Sequence, residues 1–411
     1  MRFYIETYGC AANRGNSEAF SAALTEMGHH PSSLNEADLV VVNTCAVTER
    51  TERNMKKRLS KLQGDRLVIG GCLPSAIPEA VQDLCCREVL GVLDRSVGMK
   101  MGETFRPEES RYFCRKVAQS LCAVVNISEG CLGRCSYCIV RRARGALQSK
   151  TVQEVVGEVR RRLAQGAVEV QLASQDAAAY GQDLGSSLPE LLDAVAGIDC
   201  KFRVRVGMMN PDRLSPIQED LIRSYGDPKI YKFLHLPVQS GSDGVLAGMK
   251  RGYSAQEFQD MTAEFRDLFP NLTLYTDVIS GFPGEIEEDS RATEELIRAV
   301  EPDKVNVTMY SSRPGTGASR LYDMPSRFKK ERSRRITRLW QEIAGNRNGR
   351  YLGERIVAQV TQGGRVGTMM ARSENYRKIV VCEPLPLGSV HDFEIVKTTP
   401  FYLVGEVASR E

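Results

Sequence analysis

Apolar and polar positions along this chain follow two different periods, and the changes between them divide it into three parts. Phe3–Thr7, Asp38–Asn43 and Arg66–Gly70 carry short apolar runs that read as strands. The second run, Asp-Leu-Val-Val-Val-Asn, is apolar enough for a buried parallel strand. Between them, Ser17–Met27 repeats apolar residues at the helical period and stops at Gly28, and Thr51–Leu62 is amphipathic. The pattern predicts an α/β chain that opens with a Rossmann-like domain over residues 1–96. Residues 97–121 are irregular and charged, the composition of a linker. A strand–helix alternation then begins. Strands are predicted at Cys122–Ile127, Val168–Ala173, Phe202–Val206, Lys232–Leu236, Leu272–Ile279 and Lys304–Met309. Helices are predicted at Val152–Ala164, Leu188–Ala196, Pro216–Tyr225, Ala255–Leu268 and Glu287–Val300. Six such units predict a partial (β/α)6 barrel over residues 122–345, with its chemistry at the carboxyl ends of the strands. Ser326–Glu342 reads as a helix carrying the single tryptophan, Trp340. After Gly353 the period falls to two. The runs Ile356–Thr361, Val366–Ser373, Tyr376–Cys382, Val390–Val396 and Leu403–Val407 predict a small OB-like β-barrel over residues 350–411.

Composition adds limits. The chain has 411 residues, 42% hydrophobic and 26% charged, enough to bury a sizeable core. No apolar run reaches the length of a membrane span, and the start lacks the apolar stretch of a signal peptide. Twelve cysteines in such a chain argue for a reducing, cytoplasmic setting and metal binding over disulfides. A net charge of +3 says little by itself, but its distribution is uneven. Nine Lys and Arg fall between Ser326 and Arg350, and Arg141, Arg142 and Arg144 form a second basic knot. Solvated faces are the ordinary explanation of such blocks; their position beside a candidate site favours a polyanion, nucleic acid above all.

The most specific chemical signal is Cys131-Leu-Gly-Arg-Cys135-Ser-Tyr-Cys138. Three thiolates from one loop suit a [4Fe–4S] cluster and leave one iron without a protein ligand, where four cysteines are the usual complement. That open iron can hold the amine and carboxylate of S-adenosylmethionine (SAM). The alternatives are a zinc knuckle or buried free cysteines. Zinc sites pair CxxC with nearby Cys or His, and the four histidines, His29, His30, His235 and His391, all lie far away in sequence. Cys10, Cys45 and Cys72 each follow a predicted strand of the first domain, so they gather on the edge where open α/β sheets bind ligands. Their long spacing makes this triplet the weaker signal. Cys85, Cys86, Cys114, Cys122, Cys200 and Cys382 show no ligand spacing and read as structural.

The motifs resemble those of the radical-SAM methylthiotransferases over nearly the whole chain. Tyr8-Gly-Cys10-Ala-Ala-Asn13, Asn43-Thr-Cys45-Ala-Val and Gly70-Gly-Cys72-Leu-Pro74 are similar to the family's amino-terminal signatures, and Cys131, Cys135 and Cys138 to its radical-SAM signature. Ala143-Arg-Gly145, Ala179-Tyr-Gly181 and Arg205-Val-Gly-Met208 look most like the archaeal and eukaryotic type. The carboxyl module resembles the TRAM domain, an RNA-binding barrel. The resemblance implies conversion of N6-threonylcarbamoyladenosine at position 37 of tRNA to its 2-methylthio derivative. It also implies two [4Fe–4S] clusters, one on each triplet, and two SAM molecules, one giving the methyl group and one the radical. The tRNA anticodon arm, a low-potential electron donor and a sulfur source are the implied partners. The chemistry agrees: the adenine C2 hydrogen is too weakly acidic for a side-chain base, so a hydrogen-abstracting radical is required.

For SAM contacts, strand position offers Ser174, Gln175 and Asp176 after the second barrel strand, Gln239 and Ser240 after the fourth, and Gly281 in the glycine-rich turn after the fifth. Leu172-Ala-Ser-Gln-Asp176 stands where many radical-SAM proteins carry a Gly-Gly-Glu-like run. His235 reads equally as a site or a packed residue. Competing readings are methylthiolation of isopentenyladenosine in tRNA or of a ribosomal-protein aspartate, and a non-catalytic iron–sulfur RNA-binding redox sensor.

Overall fold

In the computed structural model, which describes residues 1–104, 121–364 and 367–408, the first domain is built on a five-stranded parallel sheet. Its order is His30–Pro31, Arg2–Thr7, Leu39–Thr44, Gly64–Gly71 and Cys86–Val89. Leu39–Thr44 is buried at every residue, as an unbroken apolar run in the centre of a parallel sheet requires. The two outermost strands are short and largely uncovered, so no apolar pattern betrays them. The first helix, Ala11–Glu26, starts well ahead of the predicted Ser17. Its opening turns bury Asn13, Gly15 and Asn16 against the next domain, and these polar positions hide the helical period. Residues 97–104, read as the start of a linker, instead belong to the helix Arg95–Thr104. That helix packs Gly98 over Phe20 and Ala23 and buries Met101 in the core. The rest of that segment, residues 105–120 with Cys114, lies outside the described residues.

Two three-stranded parallel sheets form the centre. Arg203–Val206, Glu169–Ala173 and Cys122–Asn126 make one, and Phe233–His235, Thr273–Ser280 and Lys304–Met309 the other. A single parallel bridge, Val204 to Ile230, joins them into an open half-barrel with its strands in chain order. Helix starts follow local chemistry: Thr151 and Ser254 close capping boxes with Glu154 and Glu257. The first domain roofs the carboxyl mouth. Val124 N–H donates to the Glu18 carboxylate (3.1 Å) and Asn126 Nδ2 to the Ala12 carbonyl (3.1 Å) on one side. On the other, Arg313 pairs with Glu52 at 2.7 Å.

The long helix runs from Ser326 to Gly349, further than predicted, and leads into a closed five-stranded barrel. The barrel strands are Arg355–Gly363, Met369–Ser373, Lys378–Val381, Val390–Thr398 and Leu403–Val407. Tyr376, expected inside a strand, takes a left-handed backbone (φ 63°) and turns its ring under the half-barrel against Tyr231 and Phe233. The small barrel therefore closes the floor. Asp303 locks it there. Its carboxylate accepts from Arg377 of the barrel (2.5 Å), Arg347 of the long helix (2.7 Å) and the Leu274 backbone (2.8 Å). No helix among the described residues is long and apolar enough to cross a membrane.

Candidate active site

Between roof and mouth lies a cavity of about 420 Å³, and all six singled-out cysteines line it. Cys10, Cys45 and Cys72 enter from the carboxyl edge of the first sheet because Cys45 and Cys72 follow a strand end directly and Cys10 comes three residues after the end of Arg2–Thr7. Two glycines make room. Gly9 and Gly71 hold left-handed backbones (φ 103° and 93°), and a Cβ on Gly71 would lie 2.4 Å from Asn43 Oδ1. Cys131, Cys135 and Cys138 come from the loop after Cys122–Asn126, where a Cβ on Gly133 would have the Cys131 and Cys135 sulfurs within 3.8 Å.

Each triplet has a guanidinium lodged against it. Arg144, buried at the end of the short helix Val140–Arg144, reaches across to the first domain. It donates to Asn13 Oδ1 (2.5 Å) and Asn16 Oδ1 (3.0 Å) and pairs with Glu129. Asn13 Oδ1 lies 3.7 Å from Cys72 Sγ. Burial works against the Arg144 charge, but Glu129 and the Cys72 and Cys10 sulfurs outweigh it and hold the group protonated. Arg251 donates to Cys135 Sγ at 3.4 Å, to the Pro237 carbonyl at 3.0 Å and to Tyr253 Oη at 2.9 Å, with no carboxylate pairing among the described residues. The thiols themselves are disfavoured as anions: burial pushes Cys72 and Cys138 up to about 11 and raises Cys45 and Cys131 as well. A ligand that displaces their protons must supply the missing positive charge, as a metal centre does.

Ser174, Gln175, Asp176 and Gln239 line the same cavity. Ser174 Oγ, both amide atoms of Gln175 and Asn210 Oδ1 are buried there without a hydrogen-bond partner. Each unmet buried polar group costs about 1–3 kcal/mol, so the wall suits a polar ligand such as SAM. Asp176 is pushed up to about 6 by burial, despite the 2.9 Å bond from the Asn210 N–H. Ser240 and Gly281 are placed otherwise. Ser240 is buried against Thr293 Oγ1 (3.3 Å), and the Gly281 N–H donates to Glu285 (3.0 Å), so both brace the fold away from the cavity wall. His235 pairs with Asp277 (3.2 Å), which itself lines the cavity. Among the described residues no three His, Cys, Asp or Glu side chains could grip one metal ion.

Sequence reasoning missed Arg251, which sits in no recognisable pattern, and misread Arg144 as part of an RNA-facing basic knot. Asn13 stood inside a quoted motif and Asp277 inside a predicted strand, neither with a role assigned.

Residues 125–297 match the Radical SAM superfamily, and a half-barrel with three cysteines at its mouth makes this chain a radical-SAM enzyme. Residues 2–90 match the Uncharacterized protein family UPF0004. The chain is 40% identical to the probable threonylcarbamoyladenosine tRNA methylthiotransferase of Pyrococcus abyssi over 100% of both chains. It is 28% identical to the threonylcarbamoyladenosine tRNA methylthiotransferase of Homo sapiens, covering 100% of this chain and 74% of that protein. The solved structure of TsrM, a radical S-adenosylmethionine methyltransferase from Kitasatospora setae with cobalamin and a [4Fe-4S] cluster bound, shares the fold at a TM-score of 0.58. Identity there is 15%, over 77% of each chain. The chain belongs to the threonylcarbamoyladenosine tRNA methylthiotransferase family.

Proposed function

We propose that this protein converts N6-threonylcarbamoyladenosine at position 37 of tRNA to its 2-methylthio derivative, in the cytoplasm, using two [4Fe–4S] clusters and two SAM molecules. One observation carries the reading: the two cysteine triplets, distant in sequence, face a single cavity. A transfer that installs sulfur and then methyl needs both centres within reach of one base. Cys131, Cys135 and Cys138 would hold the cluster that binds SAM, and Cys10, Cys45 and Cys72 the one that presents the sulfur. With SAM bound, the first centre supplies a hydrogen-abstracting radical of a strength no side chain possesses.

The chain's own groups do the rest. Arg144 and Arg251 balance the negative charge of thiolate-bound centres. Ser174, Gln175, Asp176 and Gln239 orient SAM, and the ionised Asp176 accepts a hydrogen bond from its amine. The first domain roofs the mouth and limits water. Arg327, Lys330, Arg334 and Arg338, all exposed, give the phosphate backbone of the anticodon arm a track, and the target base is splayed into the cavity. An external low-potential donor supplies electrons, and an external sulfur source restores the transferred atom.

The test is anaerobic reconstitution with iron and sulfide. SAM, reductant and tRNA carrying threonylcarbamoyladenosine are then added, with an isopentenyladenosine tRNA in parallel, and nucleosides are read by mass spectrometry. A thiomethyl product from the first tRNA alone is expected; product only from the second would overturn the substrate. Cys135→Ala should abolish deoxyadenosine formation and Cys10→Ala should retain it. Robust deoxyadenosine from Cys135→Ala would sink the division of labour.

A further inference from the structure

A second cavity, of about 600 Å³, lies at the opposite end of the half-barrel, where the small barrel closes the floor. Its wall carries three cations, Arg205, Lys304 and Arg372, with no carboxylate within ion-pair distance among the described residues. Arg205 and Arg372 instead stack on Tyr376, 5.5 and 4.3 Å from the ring centre, and Lys304 sits over Tyr275 at 5.3 Å. Arg205 Nε is buried with no acceptor.

The carboxylates of the wall are engaged elsewhere. Asp303 is held by Arg347 and Arg377. Glu18 takes the Val124 N–H (3.1 Å) and lies 3.8 Å from Arg14. Glu169 is ringed by neutral donors: Gln171 Nε2 (2.7 Å) and the Tyr376 and Tyr231 hydroxyls (both 3.3 Å). Three partly buried cations face this polar space; Asp303 and Glu18 are engaged elsewhere, and the Glu169 carboxylate, held by neutral donors, offsets one charge beside Arg372, so the wall stays net positive. An oxyanion able to accept several N–H bonds relieves that charge, and guanidinium forks match phosphate oxygens.

We propose that this floor cavity is a binding site for a phosphate group, held by Arg205, Lys304 and Arg372 at the junction of the half-barrel and the small barrel. The phosphate comes either from a small molecule free in solution or from the backbone of bound RNA. In both cases it bridges two domains that also meet through Asp303, Tyr376 and the bonds Lys232 N–H to Glu374 O (3.1 Å) and Asn375 Nδ2 to Asn271 O (2.9 Å), so occupancy tightens their junction.

The reconstituted full-length protein is titrated anaerobically with inorganic phosphate by calorimetry, with chloride holding ionic strength constant. One saturable site is expected. Arg205→Gln combined with Lys304→Gln should weaken it more than tenfold, and Arg205→Lys should retain part of it. Stabilisation of the junction by phosphate with unchanged tRNA affinity identifies the free source. Competition between phosphate and tRNA, with a lower salt slope in the double variant, identifies the backbone source. Absence of saturable phosphate binding by the unsubstituted protein, or binding equal in the double variant, overturns the site; neither result bears on methylthiolation.

Discussion

Asp303 offers the sharpest test of how the floor is held. Its side chain is 2% exposed, and it is the shared partner of Arg377, 7% exposed, and Arg347, 10% exposed. Asp303→Ala leaves two buried guanidiniums side by side, with only the half-exposed Glu301 carboxylate 3.8 Å from Arg347 as counter-charge, and orphans the Leu274 N–H. Removing one member of a buried ionic group costs about 3–5 kcal/mol, roughly two to three and a half orders of magnitude in an opening equilibrium. A chain of several domains does not unfold in one step, so the assay is native-state hydrogen exchange over residues 355–407. Faster exchange of that size, confined to the small barrel and the end of the long helix, is expected. The pH dependence follows from the same contacts. Burial alone would raise the Asp303 pKa, but Arg377 and Arg347 hold it below the ordinary value. A depressed acid contributes stability above its unfolded pKa of about 3.9 and loses it as pH falls through the native value. Acid should therefore release the barrel from the wild type, while Asp303→Asn should be looser already at neutral pH and insensitive to that step. An Asp303→Ala protein whose barrel exchanges within tenfold of wild type would refute the reasoning.

Four further outcomes are expected. Arg251→Met removes a charged hydrogen bond to Cys135, worth about 1.5–3 kcal/mol; the bond strengthens with each added electron, so the cluster potential should fall by up to about 130 mV in an EPR-monitored titration, and an unchanged potential would remove Arg251 from that role. SAM binding should weaken as pH drops through about 6, where Asp176 takes up its proton, and Asp176→Asn should bind weakly with a flat profile in equilibrium dialysis. Lys330, Arg334 and Arg338 changed together to Gln should flatten the salt dependence of tRNA binding by roughly two to three counterions with no loss of stability. Arg332→Gln should destabilise instead, because that cation is buried 2.6 Å from Glu285.

The contrast within that helix shows where sequence reading reaches its limit. Every basic residue from Arg327 to Arg338 looked alike as charge, yet Lys329 and Arg332 are buried and Arg335 pairs with Glu287 and Glu294. Periodicity separates apolar from polar positions; it does not separate a solvated cation from one spent on an internal ion pair. The six barrel strands were legible because each is an apolar run between amphipathic helices with clear caps. His30–Pro31 and Cys86–Val89 were not, being short edge strands whose only stabilisation is one neighbour's backbone. Of the candidate site, the cysteine loop stood out by its spacing, and it lines the cavity. Ser240 and Gly281 do not line it, because strand order fixes which end of a barrel a residue occupies, but not which way the following turn faces. Deleting residues 350–411 would not test RNA anchoring cleanly, since Tyr376 and Arg377 are part of the half-barrel's floor.

Arg144 leaves the radical-SAM loop and ends in the other domain, hydrogen-bonded to Asn13 and Asn16. On the function proposed above, the two cysteine triplets therefore share a fastening as well as a cavity. A change that slackens it is expected to shift one triplet against the other, so that SAM is spent without product being delivered.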